Sequence, residues 1–157
     1  MKKCILLLLI IGTLSSCATR SDFHSFYKEN KRDATFTIST PSFLANIFIP
    51  KEDTKDYEDL FRGVKHYKVM IYENNVESLD KKFDRFIARK KYSTIFKINE
   101  NGEKVQIYFM KKGDLIKEMV LKIKGDDSYV VLGLKTNIHQ QDFNAVLAGS
   151  EKEIVVH

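Results

Sequence analysis

Hydrophobic positions along the chain follow two different periods. In residues 34–39 and again in residues 64–72, apolar and β-branched residues are close enough together to predict strands. In residues 76–90 the apolar positions fall three to four residues apart, which is typical of a helix with one buried side. The apolar positions of this helix are Val76, Leu79, Phe83, Phe86 and Ile87. The pattern therefore predicts two strands, the second followed by an amphipathic helix.

Two shorter helical segments are predicted between these strands. Thr40 can cap a helix over residues 41–48, with Pro41 at its first position. Thr54 can cap a second segment that ends at Gly63.

Four further strands are predicted over residues 93–98, 103–111, 115–124 and 128–136. Short loops that contain glycine separate them and predict a meander of β-hairpins. A last helix follows over residues 140–147. Strands grouped at one end of the chain, with helices elsewhere, predict an α+β fold. We expect a largely antiparallel sheet with a C-terminal four-strand meander and with helices packed mainly on one face.

The alternation along the strands also predicts how they are buried. The strand over residues 64–72 has apolar side chains on both sides, which favours a central position in the sheet. In the strand over residues 103–111, Val105, Ile107 and Phe109 alternate with more polar side chains. We therefore expect these three residues to pack into the core and Lys104, Gln106 and Tyr108 to form the more polar side.

The N-terminus has the pattern of a bacterial lipoprotein signal peptide. Lys2 and Lys3 precede the apolar residues 5–11, a run too short to span a bilayer. Leu14, Ser15, Ser16 and Cys17 then match the signal peptidase box of an apolar residue, two small residues and cysteine. The Cys17 thiol is the nucleophile that forms a thioether to diacylglycerol, so we expect lipid attachment there. Ordinary secretion and an uncleaved anchor are the alternatives.

This interpretation divides the chain into three parts. Residues 1–16 are the signal peptide, residues 17–33 are the lipidated cysteine and a tether, and residues 34–157 are a single α+β domain. Within the tether, Phe23, Phe26 and Tyr27 have helical spacing, so a short helix docked on the domain is the alternative to free chain. Ala18 and Thr19 after the cysteine favour the outer membrane over the inner one.

The charge and the cysteine content of the chain limit the class of partner that it can bind and the chemistry that its side chains can perform. Cleavage after residue 16 removes two lysines and leaves 24 basic and 21 acidic residues, a net charge of about +3. That small excess suits an anionic envelope surface and does not indicate nucleic acid. The two cysteines are Cys4, inside the signal peptide, and Cys17. The mature domain therefore has no thiol for a disulfide, a metal site or a catalytic nucleophile.

Candidate chemistry is sparse in the rest of the chain. His24, His66, His139 and His157 do not have the spacing of metal ligands. The pair Asp126 and Asp127 beside Gly125 is typical of a turn and offers too few oxygens for calcium. No phosphate-binding loop, dinucleotide motif or nucleophile elbow is present. We expect no catalytic residue, no metal and no cofactor.

Two clusters of basic residues remain. On the polar side of the amphipathic helix, Lys81, Lys82, Arg85 and Arg89 form either a solvated surface or a contact with lipid headgroups. Along the meander, lysines are expected to protect exposed strand edges from pairing with other chains. They are Lys111, Lys112, Lys117, Lys122 and Lys124.

Several of these features together resemble a known family. They are the peptidase box, the hairpin from Ile98 to Val105 with its Asn-Glu-Asn-Gly turn, the Gly125-Asp126-Asp127 turn and the closing amphipathic helix. The chain is similar over nearly its whole length to the domain-of-unknown-function 4252 family, small lipoproteins of Bacteroidota-type bacteria. The resemblance implies an envelope location and an α+β fold, and it brings no activity or site residue with it.

Three functions are compatible with the sequence. The first is a non-enzymatic envelope module that is held to the membrane by the lipid on Cys17 and binds an envelope protein or other component. The second is a carrier or sensor of a small apolar ligand, with phenylalanines lining a pocket. They are Phe43, Phe48, Phe83, Phe86 and Phe109. The third, an enzyme acting on envelope polymer, requires ionisable groups that converge in a cleft.

Overall fold

The structure of the protein, a computed structural model, describes residues 21–45, 62–74, 76–100 and 102–154. The strands are β1 (Phe36–Pro41), β2 (Val64–Tyr72), β3 (Ser93–Glu100), β4 (Glu103–Lys112), β5 (Leu115–Lys124) and β6 (Tyr129–His139). The helices in the described residues are α1 (Asp22–Asn30), α2 (Ser42–Ala45), α3 (Val76–Lys90) and α4 (Gln140–Ile154). The predicted α+β class is confirmed.

All six strands form one antiparallel sheet in the order β1-β2-β6-β5-β4-β3. The chain crosses from β2 to the far edge of the sheet through α3, and the predicted meander then returns strand by strand until β6 pairs with β2. β2 lies inside the sheet, as its two apolar sides predict. β1 and β3 are the edge strands.

Two hairpin turns of the meander depend on glycine. Gly102 has a φ of 85° and Gly113 a φ of 60°. Residues with a Cβ adopt this left-handed region at a cost, so glycine is the residue that suits both turns.

The main core lies between one face of the sheet and the helices α1 and α3, and we call this the helix-covered face. Met70, Val120, Tyr129 and Val131 on this face are completely buried. Aromatic rings from the helices fill the space above them, and Phe26 packs edge-on against Phe83 with ring centroids 5.5 Å apart. Such pairs add to the free energy of burial.

Helix α1 shows that the domain begins before residue 34. Phe23, Phe26 and Tyr27 are buried in the main core. The Ser21 side chain caps the helix by accepting a hydrogen bond from the His24 N–H. Of the two interpretations of residues 18–33, the docked helix is therefore the one that the structure has, over Asp22–Asn30.

Helix α3 has its predicted bounds, whereas α2 and α4 differ from theirs. Pro41 is the last residue of β1 rather than the first of a helix, and α2 begins at Ser42. Helix α4 packs through Phe143 and Leu147 against Phe109 and Met119, which point to the face opposite the helix-covered one. The segment predicted to be helical over residues 54–63 lies mostly outside the described residues. No helix in the described part of the chain is long and apolar enough to span a membrane.

Candidate functional site

The second face of the sheet carries two rows of apolar side chains that run across all six strands. The strand register gives one row as Phe36, Ile71, Val130, Ile123, Val105 and Ile98. It gives the other row as Ile38, Val69, Leu132, Leu121, Ile107 and Phe96. We call these two rows the apolar face. Every one of its residues is Val, Ile, Leu or Phe.

The apolar face is far more exposed than the helix-covered face. On the edge strands, Phe36 is 49% exposed, Ile38 42%, Phe96 36% and Ile98 39%. The residues of the apolar face on the four inner strands are half-buried. In the described residues, α4 packs beside these rows, around Phe109 and Met119, while α1 and α3 lie on the other side of the sheet. Surface patches of this size and chemistry mark interaction sites in soluble proteins.

In β4, the side that the helices bury is thus the opposite of the predicted one. Gln106 and Tyr108 are buried under the helices, whereas Val105 and Ile107 are half-buried on the apolar face. Our assignment of the packed side was wrong because alternation separates two faces without indicating which one the helices cover. The more aliphatic face of this sheet is the one that α1 and α3 leave uncovered.

Polar residues on the helix-covered face are buried because they are paired. Lys122 is 3% exposed, and its Nζ donates to Asp80 Oδ1 at 2.8 Å and to Asp84 Oδ1 at 3.0 Å. Asp80 also accepts from Lys124 Nζ at 2.8 Å and from the Tyr129 hydroxyl at 3.2 Å. A buried charge requires such partners. Through this network α3, which carries Asp80 and Asp84 about one turn apart, packs over β5, which carries Lys122 and Lys124.

The electrostatics of this network follow from burial and pairing. Burial opposes the ionisation of Asp80, but the hydrogen bonds from Lys122 and Lys124 outweigh it and hold the Asp80 pKa below its usual value. In the same way, burial opposes the charge of Lys122, and its hydrogen bonds to Asp80 and Asp84 leave its pKa raised. Burial, followed by the charge of Asp80, raises the pKa of Tyr129.

A second buried acid fixes α1 to the sheet. Glu118 is 5% exposed and accepts hydrogen bonds from the backbone N–H of Asp22 at 2.7 Å and of Phe23 at 2.9 Å. It also accepts from the Tyr92 hydroxyl at 2.5 Å. Because the N-terminus of a helix has free N–H groups and a partial positive charge, a carboxylate is well placed there. Sequence reasoning missed Glu118, since its partners on α1 are 95 and 96 residues away along the chain.

The five lysines of the meander do not protect the edges of the sheet from pairing with other chains. Lys122 and Lys124 lie on β5, inside the sheet, and are paired with Asp80. Lys117 donates to Asn137 on the neighbouring strand β6, and Lys111 donates to Gln140 at 3.3 Å. The prediction was wrong because the edges of this sheet are β1 and β3, and none of the five lysines lies on either strand.

The basic residues predicted on α3 are spread along the helix. Lys81 lines a depression with Glu73, Glu77 and Asp127 at the start of α3. Lys82, Arg85 and Arg89 instead line a groove beside α1. All four basic residues are exposed to solvent on α3, and Arg89 lies near the C-terminal end of the helix. Cys17 and its box, Leu14, Ser15 and Ser16, lie outside the described residues.

The described histidines lie on three different elements. His66 shares a hydrogen bond of 2.9 Å with Ser39, and burial, with a smaller effect from Lys68, lowers its pKa. His139 ends β6, and His24 lies on α1. In the described residues, no group of three or more His, Cys, Asp or Glu could hold a metal ion. His157 lies outside these residues.

The phenylalanines proposed to line a ligand pocket are also separated. Phe83 and Phe86 pack in the main core, and Phe109 is on the opposite face of the sheet beside α4. Phe43 on α2 is 67% exposed. Phe48 lies outside the described residues. Those that the structure describes therefore do not line one pocket.

Comparison with known proteins assigns the chain to a family. A family model described as a domain of unknown function (DUF4252) matches residues 27–146, from within α1 to within α4. No curated protein matches the chain. The matched segment contains the whole six-stranded sheet, including both rows of the apolar face. The protein belongs to the family of domain of unknown function 4252.

Proposed function

We propose that this protein is a lipid-anchored module of the bacterial cell envelope that binds an envelope protein through its apolar face, without catalysing a reaction. The observation that carries the proposal is the arrangement of that face, on which twelve aliphatic and aromatic side chains form two rows across the sheet. The four of them that lie on the edge strands are 36% to 49% exposed. The peptidase box ending at Cys17 supports the anchor.

The shape of the apolar face favours a protein over a small molecule. With strands about 4.8 Å apart and alternate residues about 6.8 Å apart, two rows across six strands cover roughly 24 Å by 7 Å between Cα positions, before side chains are added. This surface is the open face of a sheet, whereas small-molecule sites are concave. An apolar centre of this kind, with polar residues forming a rim around it, is typical of protein interfaces.

The proposal is tested by comparing two substitutions on the same edge strand. Ile98 is 39% exposed on the apolar face, and Thr94 is exposed on the other side of β3. Ile98→Asp adds a negative charge at one edge of the proposed contact, and Thr94→Asp adds the same charge on the other side of the sheet. We expect a partner protein to co-purify from detergent-solubilised envelopes with the wild-type chain and with Thr94→Asp but not with Ile98→Asp. Equal recovery with both variants would contradict the proposal.

A further inference from the structure

Exposed charges are distributed unequally between the two ends of the sheet. The acidic end, where β2, β3 and β5 finish, carries Glu73, Glu77, Glu103, Asp126 and Asp127, with Lys81 and Lys104 among them. The basic end, where α3 finishes and β4 turns into β5, carries exposed Lys65, Arg89, Lys91, Lys111 and Lys112 together with exposed Asp114, while Lys90 is half-buried there in an ion pair with Asp22. These two ends are separated by the length of β5, about 30 Å for a strand of this length.

Helix α1 brings the N-terminal side of the chain to the basic end. At its first turn, the N–H groups of Asp22 and Phe23 bond to Glu118, and Asp22 forms an ion pair with Lys90 at the end of α3. At its last residue, the Asn30 carbonyl accepts a hydrogen bond of 2.9 Å from the Tyr72 hydroxyl, at the acidic end. The helix therefore runs from the basic end to the acidic end, and Ser21, which caps its first turn, lies at the basic end.

The distance from this point to Cys17 is short. Three residues lie between Cys17 and Ser21, so the two are four residue steps apart and at most about 14 Å from each other when the chain is fully extended. This step rests on the lipid attachment in the proposed function. A lipid on Cys17 then holds the basic end within less than two Debye lengths of the bilayer, since the Debye length is about 8 Å at physiological salt.

We propose that the basic end docks on the anionic headgroups of the membrane that holds the Cys17 lipid. Each basic side chain near an anionic surface strengthens binding by about five-fold. The acidic end is repelled by the same surface, so both ends favour one orientation. In this orientation the strands run roughly perpendicular to the bilayer, with the acidic end farthest from it. The apolar face is then directed parallel to the membrane plane, where it is open to a partner protein.

The orientation can be measured with two matched labels. The cleaved and acylated chain has no free thiol, because Cys4 leaves with the signal peptide. Asp114→Cys at the basic end and Asp127→Cys at the acidic end each remove one exposed negative charge and introduce one labelling site. The lipidated protein is reconstituted into vesicles of phosphatidylethanolamine and phosphatidylglycerol that contain a quencher on the headgroup. We expect strong quenching of a fluorophore at residue 114 and none at residue 127.

The charge dependence is measured with the same labels. Replacing phosphatidylglycerol by phosphatidylcholine, or introducing Lys91→Glu, Lys111→Glu and Lys112→Glu together, should abolish the difference between the two labels. The control reverses the exposed Lys81, Lys97 and Lys104→Glu away from the basic end and should leave the difference unchanged, and thermal unfolding establishes that both triple variants fold. Equal quenching at both positions in anionic vesicles, or a difference that persists in phosphatidylcholine, would overturn the proposed docking.

Failure of this inference is separable from failure of the proposed function. The mass of the purified protein shows whether Cys17 is acylated, before any vesicle is made. Partner binding is measured with Ile98→Asp in detergent, where no bilayer is present. An acylated protein that binds its partner but has no preferred orientation would refute only the docking of the basic end.

Discussion

Gly133 is the residue that lets α1 approach the sheet. A Cβ at this position would lie 2.0 Å and 2.1 Å from two carbons of the Phe23 ring. Phe23 is 2% exposed and therefore has little freedom to move away. Glycine is needed here for close packing of a helix on a strand rather than for its backbone conformation.

We therefore expect Gly133→Ala to lower the free energy of unfolding by about 1–3 kcal/mol, because the added methyl group overpacks the contact with Phe23. Combining it with Phe23→Leu, which makes the facing side chain smaller, should recover part of this loss relative to the sum of the two single changes. Denaturant unfolding of the four proteins measures the coupling. Additive effects would show that residues 23 and 133 do not press on each other.

Asp80 is the second residue whose role is specific enough to test. It accepts hydrogen bonds from two lysines and a tyrosine, and its side chain is 18% exposed, whereas that of Asp84 is 61% exposed. Breaking a buried ion pair is expensive, whereas an exposed one contributes little. We expect Asp80→Ala to cost about 3 kcal/mol and Asp84→Ala less than about 1 kcal/mol in the free energy of unfolding.

The same pair predicts a pH dependence. The folded-state pKa of Asp80 is below its unfolded value of 3.8, so its contribution to stability is present above pH 3.8 and is lost as the pH falls through the folded-state pKa. Asp80→Ala should therefore flatten the acid limb of the stability profile relative to wild type. Parallel acid limbs in the two proteins would contradict this assignment.

At the scale of elements, the first turn of α1 depends on the Glu118 carboxylate, which accepts two of its backbone N–H groups. Removing the Glu118 side chain leaves the N–H groups of Asp22 and Phe23 and the Tyr92 hydroxyl without that acceptor. Each unsatisfied buried group costs about 1–3 kcal/mol. We expect Glu118→Ala to release α1 before the rest of the domain unfolds, seen as faster amide exchange in residues 22–30 than in β5. The exposed Glu103→Ala is the matched control and should leave this exchange unchanged.

The sequence predicts some of these elements closely and misplaces others for physical reasons. β2, β5 and α3 have the predicted bounds because each has a long, regular pattern between turn residues. α2 begins one residue after Pro41 because the whole of residues 36–41 pairs with β2, which takes proline into the edge strand. α1 resembles a polar tether because its only large apolar residues are the three that it buries.

The candidate site is less predictable than the fold. Its side chains can be found from the alternation of each strand, but a single strand does not show which face receives the helices. That choice is made by partners distant in sequence, such as Lys122 with Asp80 and Glu118 with α1. These polar pairs make the less aliphatic face the buried one.

At the scale of the whole molecule, one face of the sheet completes the core and the other provides an apolar surface. We propose that an anchor at Cys17 and the unequal charge of the two ends orient this surface along the membrane. In the proposed arrangement, the apolar face is directed towards neighbouring envelope proteins.

The most direct test of the partner-binding surface is site-specific photo-crosslinking in living cells, with the photoreactive residue placed at Ile98 or, as the matched control, at Thr94. Both positions are on β3, and they face opposite sides of the sheet. We predict that position 98 captures one protein partner of defined mass, that Phe36→Asp on the far edge of the same face abolishes the capture, and that position 94 captures none. Crosslinks from position 98 only to another segment of this chain, or to a second copy of it, would contradict the account.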